Sequence, residues 1–254
     1  MIIVLSPAKT VDFSTALLVK PASKIVFPQE SMLLNNLLKT LSINELQELM
    51  AISRDLANLN YHRIQDWHFP IQATKSQNAI FAFRGETYNG FDADTITPSE
   101  LNTAQKQIVI LSGLYGILRP LDAILPYRLE MGTKLINPQG DNLYHFWREK
   151  ITTHINQLVG QTTHQTLVNL ASDEYFKSIN AKEISGTIIT PQFLDFSGGK
   201  YKVVSVFAKK ARGSMARFLC SPTIGHPSNI IAFEGLGYHY NPQRSTPNNP
   251  VFVR

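Results

Sequence analysis

The stretch VSVFAKKARGSMARF, residues 204–218, sets how the rest of the chain is read. Its first half is apolar and β-branched, which predicts a buried strand. Lys209, Lys210 and Arg212 follow, then Gly213, and a helix is expected to start through Ser214, Met215, Arg217 and Phe218. Four cations, Lys209, Lys210, Arg212 and Arg217, would then sit where a strand hands over to a helix. Just upstream, TIITPQFLDF and KYKVVSVFAKK flank Ser197, Gly198 and Gly199. Two β-rich runs around a short glycine turn predict an antiparallel hairpin.

The same pattern, a strand followed by a cation, recurs along the chain. Residues 2–5 read as a buried strand closed by Ser6 and Pro7, and Lys9 comes directly after. Arg84 in FRGETYNG follows another β-like run. In LSGLYGILRPLDAILPYRLEMG a strand runs into Gly113 and Gly116, with Arg119, Arg128 and Glu130 beyond. G-x-x-G links clamp backbone phosphates in some RNA-binding folds, a signal of low specificity when it stands alone, and the arginines suit forked contacts to phosphate or carboxylate. An Arg128–Glu130 or Arg119–Asp122 ion pair is the structural alternative. If the strand ends bearing Lys9, Arg84, Arg119, Lys209, Lys210 and Arg212 share one sheet edge, they line one positive cleft. Gathering like charges is costly unless an anion visits.

NLASDEYFK places Ser172, Asp173, Glu174, Tyr175 and Lys177 just past a strand, where open sheets often carry their sites. Ser172 is the natural helix cap. The chemical alternative makes Asp173 or Glu174 a base, or the holder of a cation, with Lys177 as its partner.

Helix starts are legible. Residues 30–41 show helical spacing. Ser42 and Glu45 form a capping box, with a helix expected to about Ala57. Thr97, Pro98 and Glu100 mark another start, and Asp141 is expected to cap a long helix to about Leu158. In LANLNYHRIQDW, residues 56–67, the link Asn58-Leu59-Asn60 stands where helix-hairpin-helix modules carry their glycines. Asn tolerates left-handed backbone angles, so Asn58 and Asn60 would aim N–H groups at a phosphate, with His62 and Arg63 adding charge.

The chain has 254 residues, 43% of them hydrophobic and 17% charged, with a formal charge of +5. That permits a core and a polyanionic partner. One cysteine, Cys220, allows no internal disulfide and no thiolate metal cluster, which fits a reducing compartment. The amino-terminal stretch does not read as a signal peptide, and no apolar run is long enough to span a membrane. Walker, G-x-G-x-x-G, G-x-S-x-G and H-E-x-x-H patterns are missing, so no cofactor or resident metal is expected. No repeat or linker divides the chain. The expected fold is α+β (mixed α/β): one compact domain over residues 1–254, a mixed sheet flanked by helices.

SPAKT, LSGLYGILRPLD, PYRLEMG, NLASDEYFK and AKKARG, in that order, resemble the YaaA family of bacterial peroxide-stress proteins. The resemblance implies a cytoplasmic protein that limits oxidative damage by keeping free iron low. It also implies a one-domain fold with a positively charged cleft and a helix-hairpin-helix-like element, suited to DNA or related nucleic acid. The matching positions are Asn58 to Arg63 for the hairpin and Lys209, Lys210 and Arg212 for the cleft. The leading expectation is sequence-tolerant nucleic-acid binding. The alternative is an enzyme on a phosphorylated or carboxylated small molecule, held by Lys9, Arg119, Arg128 and Lys209, with Asp173 or Glu174 moving protons.

Overall fold

The computed structural model describes residues 1–14, 19–20 and 23–254. Strand β1 (Ile2–Leu5) is apolar and buried at every position. A half-exposed strand would alternate; a continuous apolar run is what a strand covered on both faces requires. After β2 (Thr10–Val11) come three helices, α1 (Pro28–Lys39), α2 (Ile43–Met50) and α3 (Arg54–Asp66). Short elements follow: β3 (Gln77–Asn78), α4 (Ala79–Ala82), β4 (Phe83–Arg84) and α5 (Glu86–Phe91). Helix α6 (Pro98–Gln107) starts on its expected box, Thr97 and Glu100 each accepting the other's backbone N–H. The chain then forms β5 (Ile108–Ser112), β6 (Gly116–Leu118) and β7 (Ala123–Ile124).

Helix α7 (Leu143–Gly160) buries Leu143, Phe146, Trp147, Ile151, Ile155 and Val159, a three-to-four residue period that makes one apolar face. Its cap is Asn142, not the expected Asp141: the Asn142 side chain accepts the His145 N–H at 3.0 Å, while Asp141 pairs with the His145 ring. Strand β8 (Thr166–Asn169), α8 (Asp173–Phe176) and β9 (Thr187–Ile189) follow. The last third holds β10 (Gln192–Ser197), β11 (Lys200–Lys202), α9 (Ser205–Leu219), β12 (His239–Tyr240) and β13 (Val251–Val253).

The main sheet has the order β6-β5-β1-β8-β9. Strands β5, β1, β8 and β9 are parallel, and β6 closes one edge antiparallel. A second sheet runs β11-β10-β13-β12, and β2-β4 and β3-β7 make two small pairs. The expected hairpin is present: β10 and β11 are antiparallel across Gly198 and Gly199. The mixed α/β reading of one compact chain is therefore right.

Two local readings are wrong. Residues 205–210 are helix, not strand; α9 runs unbroken through Gly213. Its buried residues, Ala208, Ala211, Met215 and Leu219, repeat every three to four positions, whereas Val203, Val206 and Phe207 are exposed. The small-residue period outweighed the β-branched cluster. Likewise the helix begun at Ser42 stops at Met50, because Ala51 turns left-handed (φ 50°) and Ser53 caps a new helix by accepting from the Leu56 N–H. Asn58, Leu59 and Asn60 lie inside α3. Leu59 is 45% exposed rather than a buried tooth, and Asn60 returns its amide to the Leu56 carbonyl at 2.7 Å. The helical hairpin thus turns at residues 51–53, and residues 58–60 offer no link for a phosphate.

Helices α5 and α9 cross at backbone contact. A Cβ on Gly213 would fall 1.7 Å from the Thr87 carbonyl oxygen, and one on Gly90 1.9 Å from that of Lys210. Any larger residue would force the helices apart. By contrast, the G-x-x-G of residues 113–116 is a packing device: both glycines are buried and Trp147 donates to the Gly113 carbonyl at 2.9 Å. It clamps no phosphate.

Candidate anion-binding cleft

Because β1 and β8 are parallel neighbours, their carboxyl ends open on the same sheet edge. That edge delivers Ser6 to Lys9 from one strand and Ser172 to Tyr175 from the other. The two ends are tied together: Ser6 Oγ donates to Ser172 Oγ at 3.2 Å and accepts the Ser172 N–H at 2.9 Å. Ser172 stands at the α8 cap position, but its hydroxyl is spent on this cross-link. From α5, Tyr88 donates its hydroxyl to the Ser6 carbonyl at 3.1 Å. The α5–α9 crossing then lays Lys209 and Arg212 against the same edge. These positions are one helical turn apart, so they share a face; Lys210 is rotated off it. Together the elements enclose a cleft of about 580 Å³ lined by Lys9, Arg84, Lys209 and Arg212 and by the carboxylates Glu86, Asp173 and Glu174.

These side chains differ in how they are held. Lys9 Nζ lies 2.7 Å from Glu130, whose other oxygen takes Arg128 at 2.7 Å. Glu174 is fixed by the Gly132 N–H at 3.0 Å. Arg84 is shared between Asp12 and Asp94 at 3.5 Å each. Burial lowers the pKa of Arg212, and the charge of Asp173 opposes that fall. Asp173 therefore faces Arg212, not the expected Lys177, which is absent from the lining. Lys209 has no hydrogen bond or ion pair among the described residues, so its charge is open to a ligand. Burial keeps Tyr88 and Tyr175 protonated by raising their pKa values well above the usual range. Both can donate but carry no charge.

Of the expected cleft cations Lys210 and Arg119 are missing from the lining, and the other expected anion-binding arginines lie elsewhere. Arg119 follows β6, and because β6 runs antiparallel its end lies at the opposite edge, beside Met1, Ile2 and His154. Arg119 there caps α6, donating to the Gln105 and Lys106 carbonyls. Arg217 holds Glu100 at 3.0 Å and the carbonyls of Phe91, Asp92 and Thr95. Arg63 lines a separate hollow with Trp67 and His68. Arg128 touches the cleft only through Glu130. Sequence reasoning missed Tyr88 and the Ser6–Ser172 cross-link; the one available signal was Tyr88 in the same short stretch as Arg84.

The Arg217 cluster has a testable pH signature. Its guanidinium, with help from Thr97, holds the Glu100 carboxyl at about 2, below its ordinary 4.5. A depressed folded-state pKa gives stability that is present above pH 4.5 and lost as pH falls towards 2. Glu100→Gln should cost about 1–3 kcal/mol at neutral pH and flatten the acid limb of a melting-temperature profile. An unaltered acid limb would remove Glu100 from this role.

The lone thiol is not a peroxide-reactive group. Cys220 is fully buried and burial pushes its pKa to about 12, leaving almost no thiolate at neutral pH. Among the described residues no three His, Cys, Asp or Glu side chains gather as a metal site. No helix there is long and apolar enough to cross a membrane.

Residues 1–244 match the family model described as peroxide stress protein YaaA. Curated relatives agree along the whole length. A UPF0246 protein of Shewanella sp. (strain ANA-3) is 46% identical, covering 100% of this chain and 99% of its own. UPF0246 proteins of Shewanella oneidensis and Shewanella baltica (strain OS195) are 46% and 44% identical with the same coverage. With the match running from the first strand through the cleft to the last sheet, the chain belongs to the peroxide stress protein YaaA family.

Proposed function

We propose that this peroxide-stress protein acts in the cytoplasm by binding nucleic acid, chiefly DNA, through its backbone. The observation that carries this reading is the convergence of Lys9, Arg84, Lys209 and Arg212 on one cleft at the carboxyl ends of β1 and β8. Cations on phosphates give affinity without sequence preference. They also release the counterions condensed on the polymer. Protein lying along the backbone would also shield it, which links such binding to oxidative damage from free iron without a dedicated iron site. The test is a salt series on a labelled duplex. With about four phosphates neutralised, log K against log salt should have a slope of about −4. A flat response would sink the reading.

The carboxylates in the cleft favour a second reading. Asp173 is exposed beside Arg212 in a pocket of nucleotide size, an arrangement suited to proton transfer on a small phosphorylated or carboxylated molecule. On that reading Asp173→Asn keeps ligand binding and loses turnover. Turnover at the wild-type rate would take Asp173 out of the chemistry.

A further inference from the structure

The β10–β11 ribbon exposes aromatic surface that the fold does not use. Phe196 and Tyr201 face each other across it, with ring centroids 5.2 Å apart. Phe196 is 60% exposed. Tyr201 meets Phe196 edge-on, at 65°, and carries the Arg244 guanidinium 4.8 Å over its ring, so Phe196 is the open ring with a cation beside it. The two-residue period of a strand puts Lys200 and Lys202, both exposed, on the ribbon's other face. At its base Val203, Val206 and Phe207 are 60%, 53% and 45% exposed, continuing the apolar surface into α9. The one carboxylate of the two strands, Asp195, is buried and bound by Tyr238 and Arg254. The ribbon's exposed charge is therefore entirely positive.

Apolar rings with positive charge and no free carboxylate select the occupant. A protein contact would favour fewer lysines, which interfaces exclude from their centres. A duplex hides the faces of its bases. A single strand offers both groups the ribbon lacks: flat bases for the rings and phosphates for the lysines. We infer that the β10–β11 ribbon is a stacking platform for single-stranded nucleic acid, with a base on the exposed Phe196 ring beside Tyr201, a phosphate at Arg244, and Lys200 and Lys202 adding attraction from the opposite face. The inference rests on the nucleic-acid reading of the cleft.

The experiment titrates the full chain with a labelled oligothymidine of about 12 nucleotides, within the span of one single-strand module, and in parallel with a labelled duplex. Phe196→Ala/Tyr201→Ala should weaken oligothymidine binding about five- to hundredfold and leave the duplex unchanged. Both substitutions sit at the surface ribbon, and melting confirms the fold. As a second readout, oligothymidine should quench the added emission of Phe196→Trp, measured against the wild-type background of Trp67 and Trp147. Single-strand binding that survives the double change, or an unquenched Phe196→Trp, overturns the platform, and intact salt-dependent duplex binding then shows that the cleft reading stands. A change in oligomeric state with unaltered single-strand binding also overturns it, making the ribbon a contact between copies. Wild-type protein that binds neither polymer brings down both readings.

Discussion

Gly213→Ala should destabilise the protein by about 3 kcal/mol, lowering its melting temperature by about 6–12 °C. A Cβ at position 213 meets the Thr87 carbonyl oxygen at 1.7 Å and the Phe91 nitrogen at 2.8 Å. Both are backbone atoms, so no rotamer change relieves the clash and α5 must lift from α9. Gly160→Ala is the matched control. It ends α7 with nothing within 4 Å of the added atom, so stability should hold or rise by up to about 1 kcal/mol. Calorimetry of the two variants separates close packing from a general intolerance of alanine. Equal melting temperatures would mean that the helices do not meet at these glycines. Any folded fraction of the Gly213 variant should also bind anions poorly, because Arg212 is its chain neighbour.

Reversing the two cleft cations of α9 should have the largest effect on binding. At about 0.1 M salt each lost phosphate contact lowers affinity roughly tenfold through counterion release. Lys209→Glu/Arg212→Glu should thus bind duplex about a hundredfold more weakly, with a salt slope shallower by about 2. Lys210→Glu makes the same charge change per residue one position away, off the cleft face. Its effect should be several-fold at most. If all three positions count equally, affinity follows net charge and the cleft is not the contact. If neither variant loses affinity, the cations serve the fold or a small ligand, and the search moves to Asp173.

Much of this was legible in the residues, and the failures share causes. The continuous apolar run of residues 2–5, the capping boxes at Ser42 and Thr97 and the glycine turn at residues 198–199 are local signals, and each gave the element it predicts. Lys9, which follows a parallel strand, lies in the cleft lining, whereas Arg119, which follows the antiparallel one, does not. Strand direction is a property of the whole sheet and cannot be read from either segment. The helix at residues 205–219 was misread because Val203, Val204 and Val206 satisfy a strand pattern locally, while the alanines that seat α9 on α5 find their partner more than a hundred residues earlier. Arg217 looked like one more cleft cation until its carboxylate, Glu100, came from another helix. A pairing across the chain turns a binding residue into a structural one, and one sequence does not reveal it.

The central position of β1 has a consequence for how the protein is made. That strand is made well before its partners, Ile108 to Ile110 and Leu167 to Asn169. At synthesis rates of about 5–20 residues per second, its first neighbour arrives on the order of ten seconds later. Until then an apolar strand waits with both edges unpaired, the condition that invites association between nascent chains. The second sheet repeats the delay, since β13 inserts between β10 and β12 after both have been made. Completion of each sheet therefore waits on a strand made later, and until then its earlier strands are exposed to association.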